Sequence, residues 1–254
     1  MRPRIAIPMP HSTDLEYGQL AIPQYERAVA LSGGEPVRIP LDTTPASLTS
    51  LIASCSGVLL PGSNADVDPA RFQQKTSRHT VSADLRREAV DDFLLEDAYL
   101  HRKSVLCICY GLQSLNVFRG GSLVQHIPDF LPEPTRAKVN HEAGRKVAVA
   151  HGVEIDADSR IAGLVTSGGR GLRSGVQGRI TVLVNSSHHQ SADTIGDGLR
   201  IVARCPDDGI IEGLEGTSPD HFVLAVQWHP ERSVDADEPS RAIFRALIEA
   251  ANHQ

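Results

Sequence analysis

The sequence predicts an α/β protein with a mostly parallel central sheet flanked by helices on both faces, extended in its second half by some antiparallel strands. Two observations predict it. Short apolar β-rich runs alternate with segments of helical spacing, the pattern of strands joined by helices and buried on both faces. One junction, Ser104 to Gly121, runs from Val105–Ile108 through Cys109-Tyr110-Gly111 into Leu112, Leu115, Val117 and Phe118, whose spacing is helical. That is a strand, a tight turn and a helix.

Each element follows from local signals. Arg4 to Met9 is the first strand, and Gln19 to Gly33 contains a helix that Pro23 starts and Gly33-Gly34 stops. Val37 to Pro40 is a second strand and Pro45 to Ala53 a helix. Gly57 to Gly62 is a third strand running straight into a turn, and Asp84 to His101 is a charged amphipathic helix leading to the central junction. Regularity then falls. Asp129 to Arg145 mixes Pro, charge and His without a period and is expected at the surface. Lys146 to Ala150 alternates as a strand, Gly163 to Gly178 reads as a Gly-rich loop, and Ile180 to Asn185 is another strand. Late strands are expected at Leu199 to Ala203, Ile210 to Leu214 and Phe222 to Gln227, before a closing amphipathic helix, Pro239 to Ala251. No repeat, low-complexity tract or linker divides the chain, so one domain is expected over residues 1–254.

Composition narrows the function classes. Lys and Arg number 25 against 31 Asp and Glu, a net charge of −6, which offers no general attraction for nucleic acid. No long apolar run opens the chain or approaches a membrane span, so a cytoplasmic protein is expected. The four cysteines, Cys55, Cys107, Cys109 and Cys205, are too few and scattered for a secreted disulfide framework. Cys107 and Cys109 have no second Cys/His pair at zinc-finger spacing, which argues against a structural zinc site.

Cys109 is the residue on the turn. A thiol at a helix N-terminus has reason to ionise, and the thiolate is the attacking species. Two readings stand beside each other: a nucleophile, or a small apolar residue ending a buried strand, as Cys107 is expected to be. Residues two apart on a strand share a face, so only the turn separates the two cysteines in kind. A nucleophile needs a base and the base an orienting acceptor. Gln227-Trp228-His229-Pro230-Glu231 closes a predicted strand and offers both, with His229 and Glu231 on one side; the other reading is a solvent-exposed strand end.

Taken together, Cys107-Ile-Cys109-Tyr-Gly-Leu-Gln113, Gly120-Gly-Ser-Leu-Val-Gln125 and Gln227-Trp-His-Pro-Glu231 resemble the nucleophile turn and His/Glu pair of class I glutamine amidotransferase-like proteins. More narrowly, Asn185-Ser-Ser-His-His-Gln190, with Gln24-Tyr-Glu-Arg-Ala-Val29, Leu60-Pro-Gly62, Asp66-Val-Asp-Pro69 and Gly209-Ile-Ile-Glu212, resembles the gamma-glutamyl-gamma-aminobutyrate hydrolase family, peptidase C26. The resemblance implies a single flavodoxin-like domain and a Cys109, His229, Glu231 triad. It implies an oxyanion hole from the backbone of Tyr110 and of Gly62 or Ser63, and substrate contacts from Gln113, Ser187 and His188. His189 and Gln190 are left open between substrate contact and internal hydrogen bonding.

Three departures from the family pattern stand out. Cys107 and Ser63 occupy places where the family usually has glycine, and Tyr110 replaces its common arginine, which is expected to change the pocket entrance. The expectation is a hydrolase of small gamma-glutamyl amides, without metal or organic cofactor, since His188 and His189 are adjacent rather than at a helical zinc spacing. Its partner is a small molecule, not nucleic acid or membrane, and the resemblance leaves a homodimer open. A glutaminase subunit feeding ammonia to a synthase, a non-catalytic binding module, and thioester or peptide hydrolysis on the same scaffold are the alternatives.

Overall fold

The alternation of apolar runs and helical spacing becomes a covered sheet in a computed structural model that describes residues 1–166, 173–174 and 178–253. Its strands are β1 (Arg4–Pro8), β2 (Glu35–Ile39), β3 (Gly57–Leu60), β4 (Ser104–Ile108), β5 (Leu123–Val124), β6 (His151–Asp156), β7 (Arg173–Ser174), β8 (Arg179–Val184), β9 (Ser191–Ala192), β10 (Leu199–Arg204), β11 (Ile211–Gly216) and β12 (Val223–Val226). The helices are α1 (Leu15–Leu31), α2 (Pro45–Ala53), α3 (Leu85–His101), α4 (Tyr110–Phe118), α5 (Ile127–Phe130), α6 (Glu133–Arg136), α7 (Arg160–Thr166) and α8 (Glu238–Asn252).

The main sheet runs in the order β2-β1-β3-β4-β12-β11-β10-β6-β8-β7. From β2 to β12 neighbours are parallel, and from β12 to β7 they are antiparallel, as the β-rich second half implied. β5 and β9 form a separate antiparallel pair. Strands β3, β4 and β12 are buried at every position, which is why their sequences are continuous apolar runs. Successive side chains serve two cores. Leu59, Leu106, Ile108 and Val226 pack with Ile22, Tyr25 and Val29 of α1 and Phe244 and Leu247 of α8. Leu60, Val105, Cys107 and Ala225 pack with Ile52 of α2, Leu94 of α3 and Leu112 of α4.

Several expectations need correction. Pro23 lies inside α1, not at its start; Asp14 caps the helix by accepting from the Tyr17 amide at 3.0 Å. Pro23 and Gln19, whose carbonyl loses its helical donor to the proline, are both on the solvent face, where water can serve that carbonyl. Lys146–Ala150 is not a strand. Val147 and Val149 are about half exposed, and the ladder with β8 starts only at His151. The surface segment 129–145 contains the end of α5 and the short helix α6, and sinks two residues, Leu131 to 6% and His141 to 4% exposure. Of the expected Gly163–Gly178 loop, Gly163 belongs to α7, Arg173–Ser174 is β7, and residues 167–172 and 175–177 lie outside the described residues. Among the described residues no helix is long and apolar enough to cross a membrane.

One buried polar group has no signature in the sequence. Arg87 of α3 is fully buried; its Nε donates to Asp91 Oδ1 at 2.7 Å, Nη1 to the Pro10 carbonyl at 3.1 Å and Nη2 to the Pro61 carbonyl at 2.7 Å. It therefore ties α3 to the turns that follow β1 and β3. Removing one member of a buried, hydrogen-bonded ion pair strands the other, so Arg87→Met is expected to lower stability by about 3–5 kcal/mol. Urea unfolding measures it; a loss under about 0.5 kcal/mol would mean that the pair contributes nothing net.

Candidate active site

The parallel strands β3, β4 and β12 end side by side, and the residues following them meet at one point, the usual position of a ligand in such sheets. Gly62 and Ser63 follow β3, Cys109 follows β4, and His229 follows β12. Cys109 has φ +55° and ψ −109°, a backbone conformation that a residue with a side chain adopts at a cost of about 1–3 kcal/mol. Its amide donates to the Val226 carbonyl at 2.8 Å, and its carbonyl accepts from Gln113 at 3.3 Å, so sheet and helix together hold the turn. The turn also corrects the expectation that the two cysteines share a face: Cys107 belongs to the α2–α4 core and Cys109 to the α1 and α8 core. Cys107 has no exposed surface, and burial holds its thiol well above its ordinary pKa.

Gly111 shows how closely α4 approaches β3. A Cβ there would stand 2.3 Å from the Leu60 carbonyl oxygen, so no other residue fits without moving the helix. This contact sets α4, and with it the amides of its first turn, against the turn after β3.

His229 and Glu231 are adjacent as expected, but not by strand alternation. β12 ends at Val226, and Pro230–Arg232 form a 3₁₀ turn that folds the carboxylate back onto the ring, Nδ1 to Oε1 at 2.7 Å. Both side chains are buried. Burial opposes a charge on His229, but the charges of Glu231 and Cys109 and hydrogen bonds to both outweigh it and raise its pKa to about 9. The Glu231 contact at Nδ1 leaves Nε2 as the nitrogen for the thiol.

The backbone donors divide. The Gly62 amide, one of the expected oxyanion donors, is already committed to Tyr25 Oη at 3.0 Å, so that expectation is corrected. Among the described residues the amides of Ser63 and Tyr110 have no protein acceptor. A Cβ at Gly62 would lie 3.2 Å from His229 Cε1 and 3.6 Å from Cys109 Cβ, which places this turn against both side chains. The Tyr110 ring is not at the pocket entrance. It is buried beneath the Arg87 guanidinium, 4.8 Å from the ring centroid, in a small core with Val67, Phe72 and Leu123.

In front of the thiol lies a cavity of about 260 Å³ lined by Ser63, Asp66, Cys109, Gln113, Ser187 and His189, among others. Its scale suits a group the size of an amino acid rather than a peptide. Gln113 borders it while its Nε2 donates to the Gln190 carbonyl at 3.2 Å and to Gln227 Oε1 at 3.3 Å. Ser187 Oγ accepts from Arg232 Nη1 at 3.0 Å. His188 borders the cavity but offers it no ring nitrogen, a correction to its expected role: Nδ1 pairs with the Gln190 carbonyl at 2.9 Å and Nε2 lies 3.5 Å from Glu212. His189 does face the cavity, with Nε2 3.0 Å from Asp66 Oδ1. Gln190 is buried and donates to the Gln125 carbonyl at 3.2 Å, and it also borders the cavity.

Three positioning residues escape a reading of the sequence for chemistry: Tyr25, Arg87 and Asn185. Asn185 accepts from the His229 amide through Oδ1 at 3.0 Å, which joins the segment 185–190 to the turn bearing the histidine. Its place at the head of Asn-Ser-Ser-His-His-Gln was the available signal.

Sheet order and strand ends match the fold of glutamine amidotransferase-type structures, and the sequence relatives are class I glutamine amidotransferase-like proteins. The glutaminase domain of Trypanosoma brucei CTPS, solved with bound acivicin, superposes with a TM-score of 0.63 at 16% identity, covering 99% of this chain and 94% of that one. The family model for peptidase C26 matches residues 7–231, and the chain belongs to that family of glutamine amidotransferase-like hydrolases. Among its relatives, gamma-glutamyl-gamma-aminobutyrate hydrolase PuuD of Escherichia coli K12 is 29% identical over 234 residues, 91% of this chain and 85% of that protein. A Mycobacterium tuberculosis protein named provisionally as a glutamine amidotransferase, Rv2859c, is 34% identical over 240 residues, 94% of this chain and 70% of that protein.

Proposed function

We propose that the chain is a cysteine hydrolase that cleaves the amide bond of a small gamma-glutamyl compound, in the cytoplasm and as a single domain. The observation that carries this reading is the strained Cys109 turn facing a buried His229 whose Nδ1 lies 2.7 Å from Glu231. The Cys109 thiolate attacks the gamma-carbonyl carbon, and the amides of Ser63 and Tyr110 receive the developing oxyanion, a contribution of about 3 kcal/mol per donor. The tetrahedral intermediate collapses with cleavage of the C–N bond, and the His229 imidazolium gives its proton to the departing amine. Water then attacks the thioester, losing its proton to the now neutral His229, and glutamate leaves as the Cys109 thiolate is restored. Gln113 and Ser187 border the glutamyl group, and Glu231 holds the ring.

The name of the Escherichia coli relative supports gamma-glutamyl-gamma-aminobutyrate as the kind of substrate. A panel of gamma-glutamyl amides assayed for glutamate release tests it. The purified chain alone is expected to turn over an amide of a larger amine faster than free glutamine. Faster hydrolysis of glutamine, or turnover only after a synthase is added, would replace this reading with that of a glutaminase subunit.

A further inference from the structure

Behind the active-site segment, four side chains from four parts of the chain converge. His141 comes from the connection after α6, His151 opens β6, His188 belongs to the segment 185–190, and Glu212 lies on β11. All are buried, and one nitrogen or oxygen from each lies within 4.8 Å of all the others. We propose that His141, His151, His188 and Glu212 form a structural zinc site that clamps the active-site segment to the antiparallel half of the sheet.

The outer nitrogens of the three rings are already engaged. His141 Nε2 pairs with Asp208 Oδ2 at 2.8 Å, His151 Nδ1 with the Gly152 carbonyl at 3.0 Å, and His188 Nδ1 with the Gln190 carbonyl at 2.9 Å. Each acceptor fixes the proton on the outer nitrogen and leaves a lone pair on the inner one, the arrangement that surrounds histidine ligands of metals. The inner atoms, His141 Nδ1, His151 Nε2, His188 Nε2 and both Glu212 oxygens, face one another and, among the described residues, have no hydrogen-bond partner outside the cluster. Their separations are nonetheless short: Glu212 Oε1 lies 3.1 Å from His141 Nδ1 and 3.5 Å from each of His151 Nε2 and His188 Nε2. Metal bonds of about 2.0–2.2 Å in a tetrahedron place ligand atoms about 3.3 Å apart, close to these values.

A proton on His141 Nδ1, 3.1 Å from Glu212 Oε1, serves one carboxylate oxygen and leaves His151 Nε2, His188 Nε2 and the other oxygen turned toward the same buried point; one divalent ion takes them all. Imidazole nitrogens with one carboxylate suit zinc, and four protein ligands closed from solvent make the site structural rather than catalytic. His188 and His189, adjacent in sequence, part ways here: His189 serves the cavity and His188 turns inward.

Metal analysis of the untagged chain, purified without chelator, tests the site independently of the proposed reaction. About one zinc per chain is expected, falling to about a tenth or less in Glu212→Gln and His151→Ala. Wild-type chain stripped by chelator should melt at lower temperature, recover on adding zinc, and with cobalt(II) show the intense visible bands of a tetrahedral site. These last measurements stand even where a variant fails to fold. A wild-type chain that neither carries zinc nor takes it up, or full zinc content in both variants, would overturn the proposal.

Discussion

Cys109→Ala is expected to abolish amide hydrolysis, a loss of about 10⁴-fold or more in kcat, while Cys107→Gly keeps most of the activity. The two thiols differ by two positions in sequence and by everything that makes a nucleophile. Cys107 is locked in the core beside Leu60 and Ala225, its Cα partners in β3 and β12, with its thiol held protonated by burial. Cys109 stands on the strained turn, ahead of α4, next to His229. Glutamate-release kinetics on both variants, with circular dichroism to confirm folding, measure the difference. Equal loss in two folded variants would remove Cys109 from the reaction.

His229→Asn is expected to cost about 10²- to 10⁴-fold, the range for a general acid and base, and Glu231→Gln less, because the ring remains. The pH profile separates their roles. His229 must be protonated to deliver a proton to the departing amine, and its pKa is raised to about 9. In the wild type, therefore, kcat/KM is expected to fall as pH rises through about 9. The Glu231 charge is the largest of the influences that raise this pKa, so Glu231→Gln should move the alkaline limb towards neutrality. An unshifted limb in that variant, or a greater loss than in His229→Asn, would point to another base.

What the sequence made legible was local or periodic. The apolar runs of β3, β4 and β12, the cap and bounds of α3, and the turn at Cys109 follow from burial on both faces and from helix-end chemistry. Pro23 misled because the proline rule favours a first turn, whereas this proline sits on an exposed helical face. Val147 and Val149 alternate like a strand but have no sheet beneath them, and alternation cannot report whether a partner exists. Residues that act across the fold leave no period at all. Arg87 under the turn after β3, Tyr25 on the Gly62 amide and Asn185 on the His229 amide each join segments far apart in sequence. The cluster of His141, His151, His188 and Glu212 is hidden for the same reason.

The insertion of β12 between β4 and β11 bears on the birth of the protein as well as its finished state. On the ribosome β4 can pair with β3 as soon as both have emerged, but its other edge, running through Val105, Leu106 and Ile108, lacks its partner until Val223–Val226 is made. At about 5–20 residues per second, roughly a hundred further residues take on the order of ten seconds. Throughout that interval a fully apolar strand edge is open to a second nascent chain, the exposure from which edge-to-edge aggregation begins. Slower translation downstream of Phe118 should therefore lower soluble yield without altering any contact in the folded molecule.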